Sequence, residues 1–504
     1  MPSPSVNRRP GAVARNVTWN LGTQAWFVVL ALASTPFFVH HLGAAGFGFY
    51  TIVGTIAGYL AVLDLGLGMA SVKYISEYNG RGDAAAVQRV IATSIAMYLT
   101  LGAVGAGVLA ALAPALGRLL GVSSMPHAVA ILELAAAGFL IAMPLSFFNA
   151  VPTALQRLDI TNRRNLIFGT LNVSGAVALL ATGHGLLSIV ALGVVVDAAA
   201  LIWFVRTVRR LLPGTSLKPR VDVPTLRVLG RFGGLKFANQ LSTQSVYHLD
   251  KLLLGVLASV SAVAFYAVPV LIAQRLVAVV GNVASAFLPA ASEFHGASDR
   301  PRFDELYLRA TKLVALLVLP LALVLVVDAE PLLRIWLGGE FARNCATPTR
   351  ILAAAYAVNA FSTIPALACD SVGHPRVTTA FSILSTALNL VLCLVLIPPY
   401  GAVGAAIAVL VNSVLLVPVF LVYVHRRVLD APIVPLLRAS LLRPVLATVL
   451  ALGPALLALQ LEAIAAAITT VAAFLVAAAI LGVLDATDKA MLRAQFLRVR
   501  PQPA

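Results

Sequence analysis

RFGGLKFANQLSTQSVYHLDKLLLGVLA, residues 231–258, is the stretch from which the rest of the chain is interpreted. It is long enough to cross a bilayer as a helix. Its polar side chains nevertheless recur at helical spacing, which places them on one face: Lys236, Gln240, Thr243, Tyr247, Asp250 and Lys251. Exposing such a polar face to hydrocarbon is unfavourable in free energy, so the face should contact protein or a water-filled cavity. Two interpretations stay open: a seam joined by amides and hydroxyls, or the wall of a solvated path for a polar substrate.

The composition indicates a membrane protein. The chain has 504 residues, of which 60% are hydrophobic and 11% charged, and its mean hydropathy is +0.94. A soluble domain carries about 25% charged residues. Apolar runs of about 20 residues recur from end to end, each long enough to span a bilayer. We therefore predict an all-α polytopic membrane protein with about fourteen transmembrane helices. Among them are separate spans at about 15–40 and 46–72, a span at about 166–183 after a basic loop that contains Arg164, and separate spans at about 376–397 and 402–424.

The positive charge follows the predicted topology. The net charge of +16 could suggest a nucleic-acid partner. The lysines and arginines lie in alternate loops, however, as the positive-inside rule requires, so we expect no nucleic acid and place both termini in the cytoplasm. The predicted divisions are a leader (1–14), six spans (15–208), a basic linker (209–229), six spans (230–424), two further spans (425–484) and a cytoplasmic tail (485–504).

An internal repeat relates the two sets of six spans. A single shift without gaps aligns Arg15 with Arg231, Gln24 with Gln240, and Tyr50 with Tyr266. Chance identity in low-complexity sequence is the alternative. A true duplication would give two six-helix bundles related by a pseudo-twofold axis along the membrane normal, with two extra C-terminal helices. Transporters built in this way bind substrate between the halves, near mid-depth.

Cations inside the predicted spans are candidates for binding an anionic substrate. Arg275 lies about 22 Å along its predicted helix, and Lys251 and Lys236 lie on the polar face described above. The alternatives are an ion pair for Arg275, snorkelling to the interface for Lys251 and positive-inside anchoring for Lys236. Three amides on the polar faces complete the predicted substrate-binding set: Gln240, Asn20 and Gln24.

Acids inside the predicted spans are candidates for coupling transport to an ion. Asp250, Asp197 and Asp64 could each bind H⁺ or Na⁺ in one conformation and release it in another. Asp250 could instead be neutralised by a neighbouring cation, and Asp64 could cap a helix or pair with Lys73. We predict no other cofactor.

No enzyme motif is convincing in this sequence. Cys345, Cys369 and Cys393 lie far apart and are interpreted as small apolar fillers. The histidines lack ligand spacing, and a Walker motif is absent. We therefore predict a transporter. A membrane-embedded polymerase or glycosyltransferase would need a larger loop with catalytic acids, and the longest predicted outer loop, 328–346, lacks such a cluster.

Five motifs carry a family resemblance: NVTWNLGTQAW (16–26), HLGAAGFGFY (41–50), LDLGLG (63–68), YHLDKLLLG (247–255) and AFYAV (264–268). On these the chain resembles the Wzx-type polysaccharide-biosynthesis flippases of the multidrug/oligosaccharidyl-lipid/polysaccharide (MOP) exporter superfamily. The resemblance implies ion-coupled flipping of an undecaprenyl-diphosphate-linked oligosaccharide to the outer leaflet of the bacterial inner membrane. It also implies membrane lipids, a polysaccharide polymerase and a chain-length regulator as partners. The alternatives within the superfamily are a lipid II flippase and a multidrug/cation antiporter.

Overall fold

The structure is a computed structural model that describes residues 10–60, 64, 66–122 and 125–483. Every long regular element in these ranges is a helix, as predicted. The helices are α1 (Pro10–Leu60), α2 (Leu67–Gly80), α3 (Ala84–Leu119), α4 (Ala128–Ala154), α5 (Leu158–Ala181), α6 (Leu186–Leu211), α7 (Val223–Leu257), α8 (Val260–Gly296), α9 (Arg300–Val327), α10 (Ala329–Leu337), α11 (Gly339–Ala360), α12 (Thr363–Ser371), α13 (Pro375–Arg427), α14 (Ile433–Leu436), a π turn (Leu437–Leu442), α15 (Arg443–Ala458) and α16 (Ala463–Ile480).

Eleven helical stretches of the described chain are long and apolar enough to cross a membrane. The prediction of an all-α polytopic membrane protein is therefore confirmed. Two of the longest helices each contain one glycine outside helical geometry, Gly43 in α1 (φ 65°) and Gly401 in α13 (φ 54°). Because a side chain at positive φ costs roughly 1–2 kcal/mol, glycine suits both turns. Each glycine separates two helical arms, where the sequence predicts two separate spans.

Two predicted boundaries are wrong. The second predicted span was continuous over 46–72, whereas α1 ends at Leu60 and α2 begins at Leu67 after Gly66, whose φ is 72°. The predicted loop 328–346 is mostly helical, because α10 and the start of α11 occupy it. Its mixed charges include a helical i,i+4 pair, with Arg334 Nη2 2.7 Å from Glu330 Oε1.

The chain forms two compact units, residues 1–264 and 265–504. The predicted domain bounds and the predicted repeat stay predictions. In the first unit, α4 packs against α3 and α6. The close approach of α3 and α4 depends on Gly105, because a Cβ there would lie 2.3 Å from Phe139 Cε1. Their apolar faces form one core with residues from α2 and α7, including Tyr98, Phe147 and Phe204.

The segment between α6 and α7 is fastened to α3. Gln88 donates to the Ser216 carbonyl and accepts from the Ser216 N–H, both at 2.6 Å. Thr93 Oγ1 accepts from the Asp222 N–H at 3.2 Å, and Asp222 then caps α7 through the Thr225 N–H at 3.0 Å. The Thr225 hydrogen bonds lower the pKa of Asp222, which stays ionised as a helix N-cap should.

In the second unit, α15 and α16 pack together and against α9. Small residues make this contact close, with Ala447, Ala451 and Ala455 buried along one face of α15. The core of α8, α9, α11, α12 and α13 lies beside it and contains Cys369. All three cysteines are buried and none of them forms a disulfide, as their interpretation as apolar fillers requires.

Candidate functional site

Four of the predicted substrate-binding residues lie outside the side chains that the structure describes: Asn20, Gln24, Lys236 and Gln240. Their helices, α1 and α7, are present and contact each other within the first unit. The roles assigned to these four residues stay predictions.

Asp64 is held by two donors at the start of α2. The Tyr98 hydroxyl on α3 donates to Asp64 Oδ1, and the Gly68 N–H donates to Oδ2 at 3.2 Å. Lys73 lies instead over aromatic rings, with Nζ 4.5 Å from the centroid of Tyr74 and 4.7 Å from that of Phe232. Of the alternatives for Asp64, the geometry favours the cap, which joins α2 to α3.

Asp197 pairs with Arg164, a cation that the sequence predicts to lie in a loop. Arg164 Nη2 on α5 lies 3.5 Å from Asp197 Oδ1 on α6, and both side chains are partly exposed, at 23% and 36%. Asp197 is eleven residues into α6, about 16 Å along its axis. Arg164 is six residues into α5, about 9 Å along. Two charges of opposite sign therefore meet within helices of membrane-spanning length.

The contact between Arg164 and Asp197 is long for an ion pair. Guanidinium–carboxylate hydrogen bonds are usually about 2.7–2.9 Å long, and this one is at the limit of contact. Arg164 Nη1 also donates to Asn165 Oδ1 at 3.1 Å. Its Nε is buried and has no hydrogen-bond partner among the described residues. Arg164 thus retains donor capacity that its present neighbours do not use.

Arg164 was missed because α5 starts earlier than predicted. The predicted span begins at residue 166, whereas α5 begins at Leu158. The signal was present in the sequence: Asp159 lies in the first turn, where the helix dipole favours an acid. Arg157 contacts both Asp159 oxygens, at 2.9 and 3.0 Å, just before the helix.

Asp250 and Lys251 lie near the end of α7. The Asp250 side chain is buried, and its Oδ1 accepts from the Lys251 N–H at 2.8 Å. Lys251 is half-buried. One turn later, Gly255 allows close packing, since a Cβ there would lie 2.8 Å from Ile52 Cδ1 of α1. This end of α7 is firmly packed, and the described polar groups are an acid and its neighbouring cation.

Arg275 is exposed on α8, in the second unit. Its neighbours Ala273 and Leu276 are buried, so the arginine lies on the opposite face from the core contacts. An exposed guanidinium there can donate hydrogen bonds to an anionic ligand. The part of the chain that the structure describes thus supplies an acid just before α2 and acids or cations on α5, α6, α7 and α8.

Comparison with known proteins gives concordant results. The sequence matches the family described as "Polysaccharide biosynthesis protein" over residues 42–346. It is 23% identical over 408 residues to a putative O-antigen transporter of Shigella flexneri, covering 79% of this chain and 94% of that protein.

Solved structures show the same fold. The lipid II flippase MurJ in its inward closed conformation gives a TM-score of 0.71 at 12% identity, covering 92% of this chain and 99% of MurJ. An inward-facing multidrug resistance MATE family transporter of the MOP superfamily gives 0.64 at 15% identity, covering 80% of this chain and 94% of that one. The resemblance drawn from the five motifs is confirmed. Because the family match spans more than half of the chain, this protein belongs to the polysaccharide biosynthesis protein family and is a multi-pass membrane protein with the MOP transporter fold.

Proposed function

We propose that this protein moves an undecaprenyl-diphosphate-linked oligosaccharide from the inner to the outer leaflet of the bacterial inner membrane. Membership of the polysaccharide biosynthesis family supports a saccharide substrate, and the O-antigen relative supports a lipid-linked one. The observation that carries the mechanism is the loose Arg164–Asp197 pair inside membrane-spanning helices. The protein then acts as a transporter that makes and breaks no covalent bond.

The diphosphate is the part of this substrate that most needs protein groups. Its charge is strongly disfavoured in hydrocarbon, and arginine can replace lost hydration with two parallel hydrogen bonds. Arg164 has a buried Nε without a partner in the described chain and a long contact to its acid. In this mechanism the diphosphate displaces Asp197 from Arg164. Arg275, Lys251 and Lys236 supply further positive charge along the path, and Gln240, Asn20 and Gln24 hydrogen-bond the saccharide.

Displacement of Asp197 provides a route to ion coupling. An aspartate that loses its cation binds H⁺ or Na⁺ more readily, because the opposite charge no longer stabilises its anionic form. The ion is released when Arg164 returns after the substrate leaves. Asp250 and Asp64 are secondary candidates, since each already accepts backbone or hydroxyl hydrogen bonds.

Transport can be tested in proteoliposomes. Vesicles would contain the purified protein and fluorescent undecaprenyl-diphosphate oligosaccharide, with quenching of the outer leaflet as readout. We expect wild type to move the label and respond to an imposed pH or sodium gradient. Arg164→Gln and Asp197→Asn should each lose at least about tenfold in rate. Arg157→Gln is the matched control, because its pair with Asp159 lies at the exposed helix start.

The alternative activities are arms of the same experiment. Labelled lipid II replaces the oligosaccharide in one arm, and a fluorescent organic cation replaces it in another. Movement of lipid II or of the cation, without movement of the oligosaccharide, would refute the proposed substrate. Equal rates for Arg157→Gln and Arg164→Gln would remove Arg164 from the site.

The proposal also includes orientation and partners. Both termini face the cytoplasm, and the protein works beside a polysaccharide polymerase and a chain-length regulator. A cysteine introduced at exposed Arg427, at the end of α13, should react with an impermeant maleimide only after the cytoplasmic face is opened. Labelling in intact spheroplasts would mean that this end of α13 faces the periplasm, which would contradict the proposed orientation. Co-purification of this protein with the polymerase from crosslinked membranes tests the partnership.

A further inference from the structure

A cavity of about 540 Å³ in the second unit is lined by four cations. They come from two segments that are distant in sequence: Arg309 and Lys312 on α9, and Arg438 and Arg443 in and after the π turn. One acid, Glu305, also lines the cavity and pairs with Arg309. The lining therefore carries an excess of positive charge in a volume typical of ligand pockets, which span roughly 300–1,000 Å³.

The geometry points to a binding site for the phosphate head group of an anionic phospholipid in this pocket. Basic pockets between transmembrane helices on the cytoplasmic side are suited to such head groups. The pocket lies at the start of α9 and α15 and just past the end of α16. The sequence predicts that this side of the membrane is cytoplasmic.

The π turn brings two of the cations to one wall. In a regular α-helix, residues five apart point about 140° apart around the axis. A π turn closes i→i+5 hydrogen bonds and has more residues per turn, so residues five apart lie much closer to the same face than they would in an α-helix. Arg438 and Arg443 are separated by five positions across this turn, and both line the pocket. Such turns occur frequently at functional sites.

Hydrogen bonds fix the walls of the pocket. The buried Ser440 donates to the Leu308 carbonyl at 2.8 Å, which attaches the π turn to α9. Arg443 Nη1 donates to the Gly482 carbonyl at 2.9 Å, which attaches the start of α15 to the end of α16. Gly482, with φ 59°, lies two residues past the end of α16. These hydrogen bonds hold the segments that carry the cations in place before a ligand binds, which lowers the entropy cost of binding.

Apolar side chains beside the pocket favour a lipid over a soluble phosphate. Exposed leucines begin next to the cations: Leu313 follows Lys312, and Leu442 and Leu446 flank Arg443. On α15 they continue along the helix with Val449 and Leu450. A head group in the pocket would leave its acyl chains against this surface, where burial of each CH₂ contributes about 0.8 kcal/mol. A free phosphate would gain only the polar contacts.

Native mass spectrometry of the full-length protein in detergent tests the site. The probe is dioleoylphosphatidylglycerol, added to delipidated protein, with dioleoylphosphatidylcholine as the neutral lipid. We expect one phosphatidylglycerol to bind in preference to phosphatidylcholine. The double variant Lys312→Gln/Arg438→Gln should bind it about 25-fold more weakly, at roughly fivefold per cation. Arg438→Lys, which keeps the charge, should retain most of the affinity.

The matched control removes equal charge elsewhere. Arg426→Gln/Arg427→Gln changes two exposed cations at the end of α13, outside the pocket, and should change affinity less than about twofold. A thermal melting curve of each variant checks that it is folded before its lipid binding is measured.

Three outcomes would overturn the proposal. Equal weakening in both double variants would mean unspecific surface attraction. Equal binding of glycerol phosphate would mean a soluble ligand, and binding of undecaprenyl diphosphate in place of phosphatidylglycerol would make this a substrate site. Because binding in detergent requires no transport, the result is independent of the proposed activity.

Discussion

Thr470 of α16 donates a hydrogen bond to Oδ2 of Asp328 at 3.1 Å, at the point where α9 ends. Asp328 is fully buried, and its Oδ1 has no hydrogen-bond partner among the described residues. It lies between α9 and α10, outside the candidate membrane spans. Burial raises the pKa of Asp328, and the bond from Thr470 offsets part of that shift. The last helix is thus joined to α9 through an acid that burial favours in its neutral form.

Asp328 should make folding stability depend on pH. A carboxyl whose pKa is raised on folding stabilises the native state below its unfolded value, about 3.9. That contribution is lost as the pH rises through the folded value. The difference in melting temperature between wild type and Asp328→Asn should therefore favour the variant increasingly from about pH 4 upward. Asp430→Asn, at an exposed acid, is the control. A difference that stays constant with pH would contradict this assignment.

Exchanging the charges of Arg164 and Asp197 tests whether the interaction between the two residues matters, as distinct from each residue alone. Arg164→Asp and Asp197→Arg each place like charges together on α5 and α6, so each should lower both the melting temperature and the transport rate. The double exchange restores opposite charges and should recover the melting temperature. Its transport rate should recover only in part, because the guanidinium then sits on α6. If the double variant melts no higher than the single variants, the two residues do not interact.

The same exchange at Arg157 and Asp159 provides a reference. This pair is exposed, with side chains at 51% and 59%, and exposed pairs contribute about 0–1 kcal/mol. Neither single exchange there should change transport by more than about twofold.

Gly48 should not tolerate a methyl group. A Cβ at this position would lie 1.9 Å from the Val260 carbonyl oxygen, a backbone atom that cannot rotate away. Gly48→Ala should destabilise by about 1–3 kcal/mol. Gly54, on the same helix, has nothing within 4 Å of its Cβ position. Gly54→Ala should be neutral or stabilise by up to about 1 kcal/mol. Denaturant titration of both variants checks the contrast, and equal effects would refute it.

Tyr98→Phe should weaken the junction of α2 and α3. The change removes one of the two donors to Asp64 and keeps the ring, whose centroid lies 5.6 Å from that of Phe147. Leaving a fully buried acceptor unsatisfied costs about 1–3 kcal/mol, and Asp64 is partly buried, so we expect a melting temperature a few degrees lower. Tyr400→Phe, at an exposed tyrosine, should have no effect. An unchanged melting temperature in Tyr98→Phe would show that water replaces the hydroxyl.

The helical membrane fold could be predicted from the sequence because each span is marked by its own run of apolar residues. Apolar runs of bilayer length and the Gly43 turn follow from local residues. The break before α2 was missed because its cause is distant: Asp64 is held by Tyr98, 34 positions away. Similarly, the mixed charges at 328–346 were interpreted as a loop, although Glu330 and Arg334 have helical spacing.

The candidate site was predicted less completely. Asp197 was named from its depth, whereas its partner Arg164, 33 positions earlier, was assigned to a loop. Pairing across two helices depends on where each helix begins and on its rotation about its axis, and neither follows from composition and periodicity alone. The pocket between α9 and the π turn was also not foreseen, because a π turn depends on one additional residue whose effect appears only after packing.

That additional residue helps to set which face the last two helices present. The π turn spreads one extra residue over Leu437–Leu442, so the helix after it keeps nearly the rotation that a regular α-helix one residue shorter would give. Removing one residue from this turn should therefore leave Ala447, Ala451 and Ala455 facing α9 and α16, whereas removing one residue just after Arg443 would rotate that face by about 100°. In related chains, one-residue deletions should therefore be commoner within 437–442 than between 443 and 447.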